Sequence, residues 1–312
     1  MKCSIVIRAY NEAQHLGRLL EGIAQQTVAD VELILVDSGS TDATVQIAEQ
    51  GKAHVVRIPA QEFSFGRSLN MGLAAATREL VVIASAHVRP MYPDWLEYLL
   101  RPFEENNVAL VYGKQRGTES SRFSEHQIFR QWFPEVDIPE QTTPFCNNAN
   151  AAIRRSLWEQ HAYDEALTGL EDVAWANWAL HQGHRVVYAA HAEITHVHEE
   201  TPARVYERYR REGMAFKQIF PEAHFSIYDF VRLSSSNIVT DLREAARQGV
   251  LWRNLPSVFW FRTMQFWGTY QGYRQSGPLT QLLRQTFYYP PGRGDEAGPT
   301  RGVEPIRYED ID

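Results

Sequence analysis

The chain has 312 residues, of which 44% are hydrophobic and 22% charged, a composition typical of a globular protein with room for one large domain and an extension. Its formal net charge of −7 argues against a nucleic-acid partner, because non-specific nucleic-acid binding needs a basic surface. The two cysteines, Cys3 and Cys146, are too few for a disulfide framework and favour a reducing compartment.

The start of the chain does not resemble a secretory signal, because its apolar run is short and is interrupted by Arg8. No run of about 18 apolar residues follows, so we expect no membrane-spanning helix. These features predict a cytoplasmic protein that is at most peripheral on the inner face of a membrane.

The first third of the sequence alternates between short apolar runs and segments with helical spacing. The runs predict buried strands at residues 3–7, 33–36, 54–58, 80–84 and 108–112. Between them, apolar residues such as Leu16, Leu19 and Ile23 share one helical face. This order predicts an α/β fold with a doubly wound, mostly parallel sheet and helices on both faces.

The middle of the chain, residues 115–145, is polar and aromatic without a clear period, which predicts a long functional loop. Regular structure returns with a predicted strand at 150–154, a helix at 171–181 and a strand at 185–190. Residues 201–290 predict a helical extension, and the Gly- and Pro-rich residues 291–312 predict a mobile tail.

The last predicted helix, residues 254–275, is rich in aromatic residues with interspersed arginines. Three interpretations follow, in order of preference: packing on the main domain, a homodimer surface, and peripheral membrane contact.

Polar residues follow the predicted strands at the points where they end, in segments 9–12, 37–40 and 85–87. Ligands of open α/β sheets bind at these carboxyl ends. No G-x-G-x-x-G sequence or Walker loop is present, which argues against a dinucleotide or P-loop site. Tyr10 offers an aromatic platform, and Glu12 and Asp37 offer carboxylates that suit a nucleobase and ribose. The alternative for Asp37 is a turn residue.

Five motifs occur in a fixed order: A-Y-N-E, V-D-S-G-S-T-D, R-S-L-N-x-G, S-A-H and G-L-E-D-V-A-W. Together they resemble family 2 of the glycosyltransferases, which have the GT-A fold, and in particular its rhamnosyltransferase-like bacterial members. The resemblance spans residues 1–200 and implies a nucleotide-binding half at about 1–112 and an acceptor half at about 113–200. It implies that a nucleoside-diphosphate sugar binds at Ala9, Tyr10, Glu12, Asp37, Ser38, Arg67, Ser85 and His87.

Two of these donor residues have open alternatives. Arg67 would lie near the diphosphate, where a guanidinium neutralises phosphate oxygens, or is a surface arginine. His87 stands where the family has a metal-binding D-x-D, which here reads Ser85-Ala86-His87. Either His87 is a metal ligand, which favours Mn²⁺ over Mg²⁺, or no metal is needed and basic residues neutralise the diphosphate. The resemblance implies His196 as a second ligand, with His198 as the alternative.

The pair Glu171-Asp172 is the strongest chemical feature after the nucleoside motifs. An inverting transfer needs one general base to deprotonate the acceptor hydroxyl. The resemblance implies that Asp172 is this base and that Glu171 positions the base or the acceptor. The alternative is that both carboxylates complement a helix dipole.

Acceptor contacts are expected from Asn147, Asn148 and Trp175, whose alternatives are Asx turns for the amides and core packing for the indole. The linker side chains Phe123, His126, Trp132 and Phe133 are expected to shape the acceptor side.

The sequence therefore predicts an inverting glycosyltransferase that acts on a hydroxyl of a saccharide or lipid-linked saccharide. A catalytically silent nucleotide-sugar-binding protein is the alternative, since the acidic metal-binding pair is missing. The intact Glu171-Asp172 pair argues against it. A nucleotidyltransferase would need a Gly-rich basic loop after the first strand, which this sequence lacks.

Overall fold

The computed structural model describes residues 1–59, 62–197, 201–274 and 302–308. Within these residues, eight strands form one sheet in the order β3-β2-β1-β4-β7-β6-β8-β5. The strands are β1 (Lys2–Ala9), β2 (Asp30–Asp37), β3 (His54–Arg57), β4 (Leu80–Ser85), β5 (Val88–Pro90), β6 (Val108–Arg116), β7 (Asn150–Arg154) and β8 (Arg185–His196).

Seven helices accompany the strands, and three longer ones follow β8 in the described residues. They are α1 (Ala13–Ala24), α2 (Thr44–Gln50), α3 (Phe65–Ala75), α4 (Trp95–Leu100), α5 (Phe123–Trp132), α6 (Arg155–Gln160), α7 (Glu171–His181), α8 (Pro202–Ile219), α9 (Ile227–Arg247) and α10 (Leu251–Arg274). A short 3-10 helix, Arg101–Glu104, follows α4.

The strand directions confirm the predicted α/β fold. Strands β1 to β4 run parallel to their neighbours in this group, as do β6 and β8. Strand β7 is antiparallel to both β4 and β6, and the short β5, which the sequence did not predict, is antiparallel to β8. The chain reverses its strand order at β1, which lies between β2 and β4. A crevice is expected at such a switch point, beside the carboxyl ends of β1 and β4.

Alternate residues of β1 supply the two hydrophobic cores on opposite faces of the sheet. Ile5 and Ile7 pack in one core with Leu16 of α1. Val6 lies in the other core with Leu69 of α3. Helices therefore cover both faces, as the alternating period of the sequence predicted, and the central strands are fixed with their carboxyl ends at one edge.

The predicted loop at residues 115–145 is a partly wrong prediction. Strand β6 continues to Arg116, and residues 123–132 form α5. The helix was hidden because its buried face includes Ser124 and Glu125 beside the apolar Phe129, so no apolar period is visible.

The three C-terminal helices pack together, and α10 also contacts α5. The preferred interpretation of this last helix, packing on the main domain, therefore describes only its contact with α5. A Cβ atom on Gly268 of α10 would lie 2.4 Å from the carbonyl oxygen of Tyr206 in α8, so the close approach of these helices requires glycine there. Trp252 and Phe259 remain exposed, and a homodimer or membrane contact through them stays a prediction. In the described part of the chain, no helix has the length and apolar character needed to cross a membrane.

The tail predicted to be mobile is described only at residues 302–308. Ile306 donates a backbone hydrogen bond of 2.9 Å to the carbonyl oxygen of Met91. The Tyr308 hydroxyl donates to the carbonyl oxygen of Pro90. This short segment therefore lies against β5, while the rest of the tail and residues 275–290 of the extension lie outside the described residues.

Candidate active site

The turn after β2 is built around Asp37, a buried residue with 3% of its surface exposed. Its carboxylate accepts hydrogen bonds from the backbone N–H groups of Gly39, at 3.2 Å, and Ser40, at 3.1 Å. Gly39 has φ 96°, a conformation that favours glycine. The geometry includes the turn role foreseen for Asp37, and its contact with a ribose stays a prediction.

The turns after β1 and β2 are bonded to each other. The backbone N–H of Ser38 donates to the carbonyl oxygen of Ala9 at 3.1 Å. The N–H of Asn11 donates to the Ser40 hydroxyl at 2.9 Å. Between them, Tyr10 remains 58% exposed, so its ring is accessible to a stacking partner. These contacts hold the predicted nucleoside residues at one edge of the crevice.

A contact between Glu12 and His87 joins the turns that follow β1 and β4. Nδ1 of His87 lies 2.8 Å from Oε1 of Glu12, and the Ser85 hydroxyl lies 3.1 Å from Nε2 of His87. The imidazole of His196, at the end of β8, stacks on His87 with 5.0 Å between ring centroids and 16° between planes. The structure thus brings together Glu12, Ser85, His87 and His196, which are far apart in the sequence.

Of these residues, His87 is oriented to bind a divalent metal, whereas His196 is not. A carboxylate on one imidazole nitrogen is the usual device that orients the other nitrogen toward a metal, and Glu12 holds His87 in this way. Two nearly parallel stacked rings, however, cannot both aim an in-plane nitrogen at one ion, so His196 would have to turn. Among the described residues no three His, Cys, Asp or Glu side chains form a metal-binding group. The alternative ligand His198 lies outside the described residues.

Glu171 and Asp172 open α7 directly after Leu170, whose φ of 56° is unusual for a residue other than glycine or asparagine. Asp172 is 9% exposed and accepts hydrogen bonds from the backbone N–H groups of Asn148, at 3.0 Å, and Val173, at 2.8 Å. The left-handed turn and these two bonds fix the carboxylate at the helix start.

Burial and the neighbouring Glu171 carboxylate raise the pKa of Asp172 to about 7, while the Asn148 and Val173 N–H groups and Arg8 act in the opposite direction. Desolvation disfavours the charged form, and a second negative charge nearby does the same. A carboxyl group with this pKa gains and loses a proton near neutral pH, which suits a general base.

Arg8 is a site residue that the sequence interpretation passed over. Its guanidinium pairs with Glu171 at 3.2 Å and lies 5.3 Å from the centroid of the Phe65 ring. An arginine inside an otherwise apolar strand, directly before A-Y-N-E, was the available signal, because a buried cation needs a partner. Arg8 links the donor-side strand β1 to the start of α7.

Arg67 lies at the start of α3 between two carboxylates, 2.6 Å from Glu62 and 3.3 Å from Glu165. A donor phosphate would have to compete with both, and the donor role of Arg67 stays a prediction.

Stacking of Trp175 on an acceptor is a wrong prediction, because this residue is 1% exposed. Its indole N–H donates to the carbonyl oxygen of His161 at 2.7 Å, and its ring lies in the core with Tyr163. Core packing, the foreseen alternative, is its role.

The two predicted acceptor amides have local partners. Oδ1 of Asn147 accepts from the N–H of Ala149 at 2.9 Å, which is an Asx turn, although Asn147 also lines a cavity beside Asp172. Asn148 directs its backbone N–H to Asp172, and its Nδ2 lies 3.5 Å from Oε1 of Glu171. Asn148 therefore supports the two carboxylates, and acceptor binding by either amide stays a prediction.

The cavity beside Asp172 has a volume of about 190 Å³. It is lined by parts of β6, β8, α5, α7, α8 and α10 and by residues 145–147, so the C-terminal extension forms one of its walls. Its lining includes Gln115, Trp132, Phe145, Asp172, Arg208 and Glu212. The arrangement places a titratable carboxylate at the boundary of a mixed aromatic and polar space, where a hydroxyl group can be deprotonated.

Comparison with known proteins supports the sequence interpretation. The model of glycosyl transferase family 2 matches residues 4–162. The O-antigen chain rhamnosyltransferase RfbN of Salmonella typhimurium is 27% identical over 229 residues, which are 69% of this chain and 72% of that protein.

Solved structures share the fold. The mannosyltransferase PcManGT from Pyrobaculum calidifontis, in complex with GDP-Man and Mn²⁺, has a TM-score of 0.60 at 18% identity, over 92% of this chain and 87% of that one. Residues 1–349 of S. aureus TarS, in complex with UDP-GlcNAc, have a TM-score of 0.54 at 17% identity, over 88% of this chain and 92% of that one. These similarities show a glycosyltransferase fold of the GT-A type.

Proposed function

The chain belongs to glycosyl transferase family 2, and on this premise we propose that it is an inverting enzyme with Asp172 as its general base. It moves a sugar from a nucleoside-diphosphate sugar to a hydroxyl of a saccharide or lipid-linked saccharide. The observation that carries this proposal is the buried Asp172 carboxylate, which borders the cavity and has a pKa raised to about 7.

In this mechanism the acceptor hydroxyl donates a hydrogen bond to the ionised Asp172 carboxylate and attacks the anomeric carbon of the donor. Asp172 takes the proton while the bond from the anomeric carbon to the diphosphate oxygen breaks, and attack opposite the leaving group inverts the configuration. The Asn148 and Val173 N–H groups hold the carboxylate in place. Arg8 pairs with Glu171 and offsets part of the effect that this second carboxylate has on Asp172.

Donor binding is assigned to the crevice at the ends of β1, β2 and β4. The exposed ring of Tyr10 stacks on the base, and Glu12, Asp37 and Ser38 lie around the ribose and diphosphate. A divalent metal, when bound at His87, supplies positive charge that stabilises the leaving diphosphate. The rhamnosyltransferase relative favours a deoxyhexose donor and a polysaccharide product.

A thermal-shift panel tests the donor assignment. We expect one of UDP, GDP or dTDP to raise the melting temperature, because a ligand that binds only the folded state stabilises it by mass action. Mn²⁺ alone should change the melting temperature little, since no three metal-binding side chains come together among the described residues. In the presence of the nucleotide, whose phosphate oxygens supply further ligands, Mn²⁺ should raise the melting temperature further. His87→Ala should remove only the metal-dependent part. A metal shift that survives in His87→Ala would contradict His87 as ligand, and no shift from any nucleotide would contradict donor binding.

The pH dependence of transfer tests the electrostatics of the base. Transfer requires ionised Asp172, so kcat/KM is expected to rise as the pH increases through about 7. Glu171→Gln removes the negative neighbour that raises the pKa, so the acid limb of the profile should move to lower pH. Full pH profiles of both proteins measure this, and an unchanged or upward-shifted limb in Glu171→Gln would refute the assignment.

A further inference from the structure

We propose that the cavity beside Asp172 is the subsite for the accepting sugar ring and that it selects an uncharged pyranoside. The inference rests on the proposed function and adds the chemical class of the acceptor and the residues that select it. The C-terminal extension contributes to this selection, because α8 supplies Arg208 and Glu212 beside the carboxylates of Asp172 and Glu125.

One wall is aromatic. Trp132 at the end of α5 and Phe145 are both half-buried, line the cavity and lie with ring centroids 4.3 Å apart. Aromatic rings combine a large apolar surface with low conformational entropy, and the C–H faces of a pyranose ring provide a matching apolar surface. The paired rings therefore offer an apolar stacking face for a sugar in the cavity.

A buried amide provides the specific polar contact. Gln115 is 1% exposed and lines the cavity, and its Oε1 bonds to Nδ1 of His196 at 2.9 Å. Its Nε2 is buried without a hydrogen-bond partner among the described residues. A buried N–H group without an acceptor is costly, so a ligand oxygen that accepts this bond stabilises the complex. A sugar hydroxyl can accept from Gln115 and donate to Asp172.

The charges around the cavity disfavour an anionic ligand. Asp172, Glu125 and Glu212 contribute three carboxylates, and Arg208 is 3.9 Å from the buried Glu125 carboxylate. The guanidinium is thus directed to an internal partner. A phosphate or carboxylate on the accepting ring would meet net negative charge in a partly desolvated space, which costs binding energy. An uncharged ring avoids this cost.

Saturation-transfer NMR with the full chain and its nucleoside diphosphate tests the proposal. The probes are two matched panels at equal concentration, neutral methyl pyranosides (glucoside, galactoside, mannoside and rhamnoside) and the 6-phosphates of glucose, galactose and mannose. We expect saturation transfer from the protein to at least one neutral pyranoside and weaker saturation transfer to every sugar phosphate. Trp132→Ala and Gln115→Ala should each weaken the neutral ligand by about five-fold, which corresponds to about 1 kcal/mol.

The control variant is Trp252→Ala, since Trp252 is 83% exposed on α10 and does not line the cavity. It should bind like the wild type, and the nucleotide-induced thermal shift verifies that each variant is folded. Three results would overturn the proposal. They are equal binding of the neutral ligands by all variants, stronger saturation transfer to the sugar phosphates than to the neutral panel, and no saturation transfer to any neutral pyranoside. If transfer activity still depends on Asp172 in that event, the proposed function stands and the acceptor subsite alone fails.

Discussion

Asp172→Asn is expected to lose sugar transfer by about 10²- to 10⁴-fold while it still binds the donor nucleotide, the range typical for removal of a general base. The amide has nearly the shape of the carboxylate but cannot take a proton from the acceptor hydroxyl. Transfer is measured as nucleoside-diphosphate release in the presence of acceptor. Donor affinity is measured separately by titration. It should be unchanged, because the substitution leaves the proposed nucleoside-binding residues at the ends of β1 and β2 intact.

Stability distinguishes a lost base from a lost fold. The pKa of Asp172 is raised in the folded state, so the folded protein holds this proton more tightly than the unfolded chain does. The ionised carboxylate therefore reduces stability progressively as the pH rises from the unfolded pKa near 4 to the folded pKa near 7. The uncharged amide of the Asp172→Asn variant avoids this cost at pH 8, but its NH2 group cannot accept the hydrogen bond from the N–H of Asn148 or Val173. The melting temperature of the variant at pH 8 should consequently not fall below that of the wild type.

The matched control is Asp30→Asn, at the start of β2 and therefore at the opposite end of the strand from Asp37. Asp30 pairs with Lys2 at 2.7 Å on the surface, so its loss should leave transfer nearly unchanged. Normal transfer by Asp172→Asn would remove Asp172 as the base. Loss of transfer to the same extent in Asp30→Asn would mean that the effect is not specific to the site.

The sequence predicted which turns lie at one edge of the sheet, because its polar motifs follow apolar strand segments. Residues after β1, β2 and β4 come to one edge wherever the strands run parallel, so the sequence alone places Glu12, Asp37 and His87 at the same edge. Glu171-Asp172 was visible as a carboxylate pair at a predicted helix start. The positions at the sheet edge need only local periodicity and the strand-end rule, whereas the roles assigned to these residues, including Asp172 as base, came from the resemblance to family 2 of the glycosyltransferases.

The contacts that complete the site were not predictable from local pattern. Arg8 and Glu171 are 163 residues apart in the sequence. The position of Arg8 in an apolar strand indicates that it needs a partner, but neither segment identifies which residue that partner is. Helix α7 buries residues on more than one side, including Val173, Trp175 and Ala176, so its sequence offered no exposed face from which the position of Trp175 could be inferred.

The positions of two whole helices that line the cavity, α5 and α8, were also not predictable from local sequence pattern. Helix α5 was interpreted as a loop, and the position of α8 over the cavity depends on helix packing within the extension. Both elements are fixed by tertiary contacts between residues that are far apart in the sequence. One contact within the extension is a buried ion pair between α9 and α10, where a single substitution should have a large effect on stability.

Arg262→Met is expected to destabilise the protein by about 3–5 kcal/mol, the usual cost of removing one partner from a buried ion pair. Arg262 of α10 and Asp241 of α9 are both almost fully buried, and Nε and one terminal nitrogen of the guanidinium bond to the two carboxylate oxygens at 2.8 and 3.0 Å. The substitution leaves the Asp241 charge buried without this partner. The denaturant concentration at the unfolding midpoint measures the loss.

Two further variants test whether the loss of stability comes from the buried ion pair. Arg247→Met removes an arginine whose side chain is 80% exposed and 3.6 Å from Glu244, and it should cost no more than about 1 kcal/mol. The double variant Arg262→Met/Asp241→Leu should recover most of the lost stability, because the buried Asp241 charge is then removed together with its partner. A double variant no more stable than Arg262→Met would show that the arginine acts through its other contacts, Gln265 at 2.9 Å and the carbonyl oxygen of Ser124 at 3.5 Å.

The Ser124 contact connects this ion pair to function, because Ser124 lies in the first turn of the helix that carries Trp132 into the acceptor cavity. If the extension holds α5 through Arg262, then Arg262→Met should weaken binding of the neutral pyranoside at temperatures where the protein is still folded, whereas Arg247→Met should not. Donor affinity should be the same in both variants, since the donor residues lie at the ends of β1, β2 and β4 and not on the helices that Arg262 joins. A parallel loss of donor and acceptor binding would indicate general unfolding instead of a displaced acceptor wall.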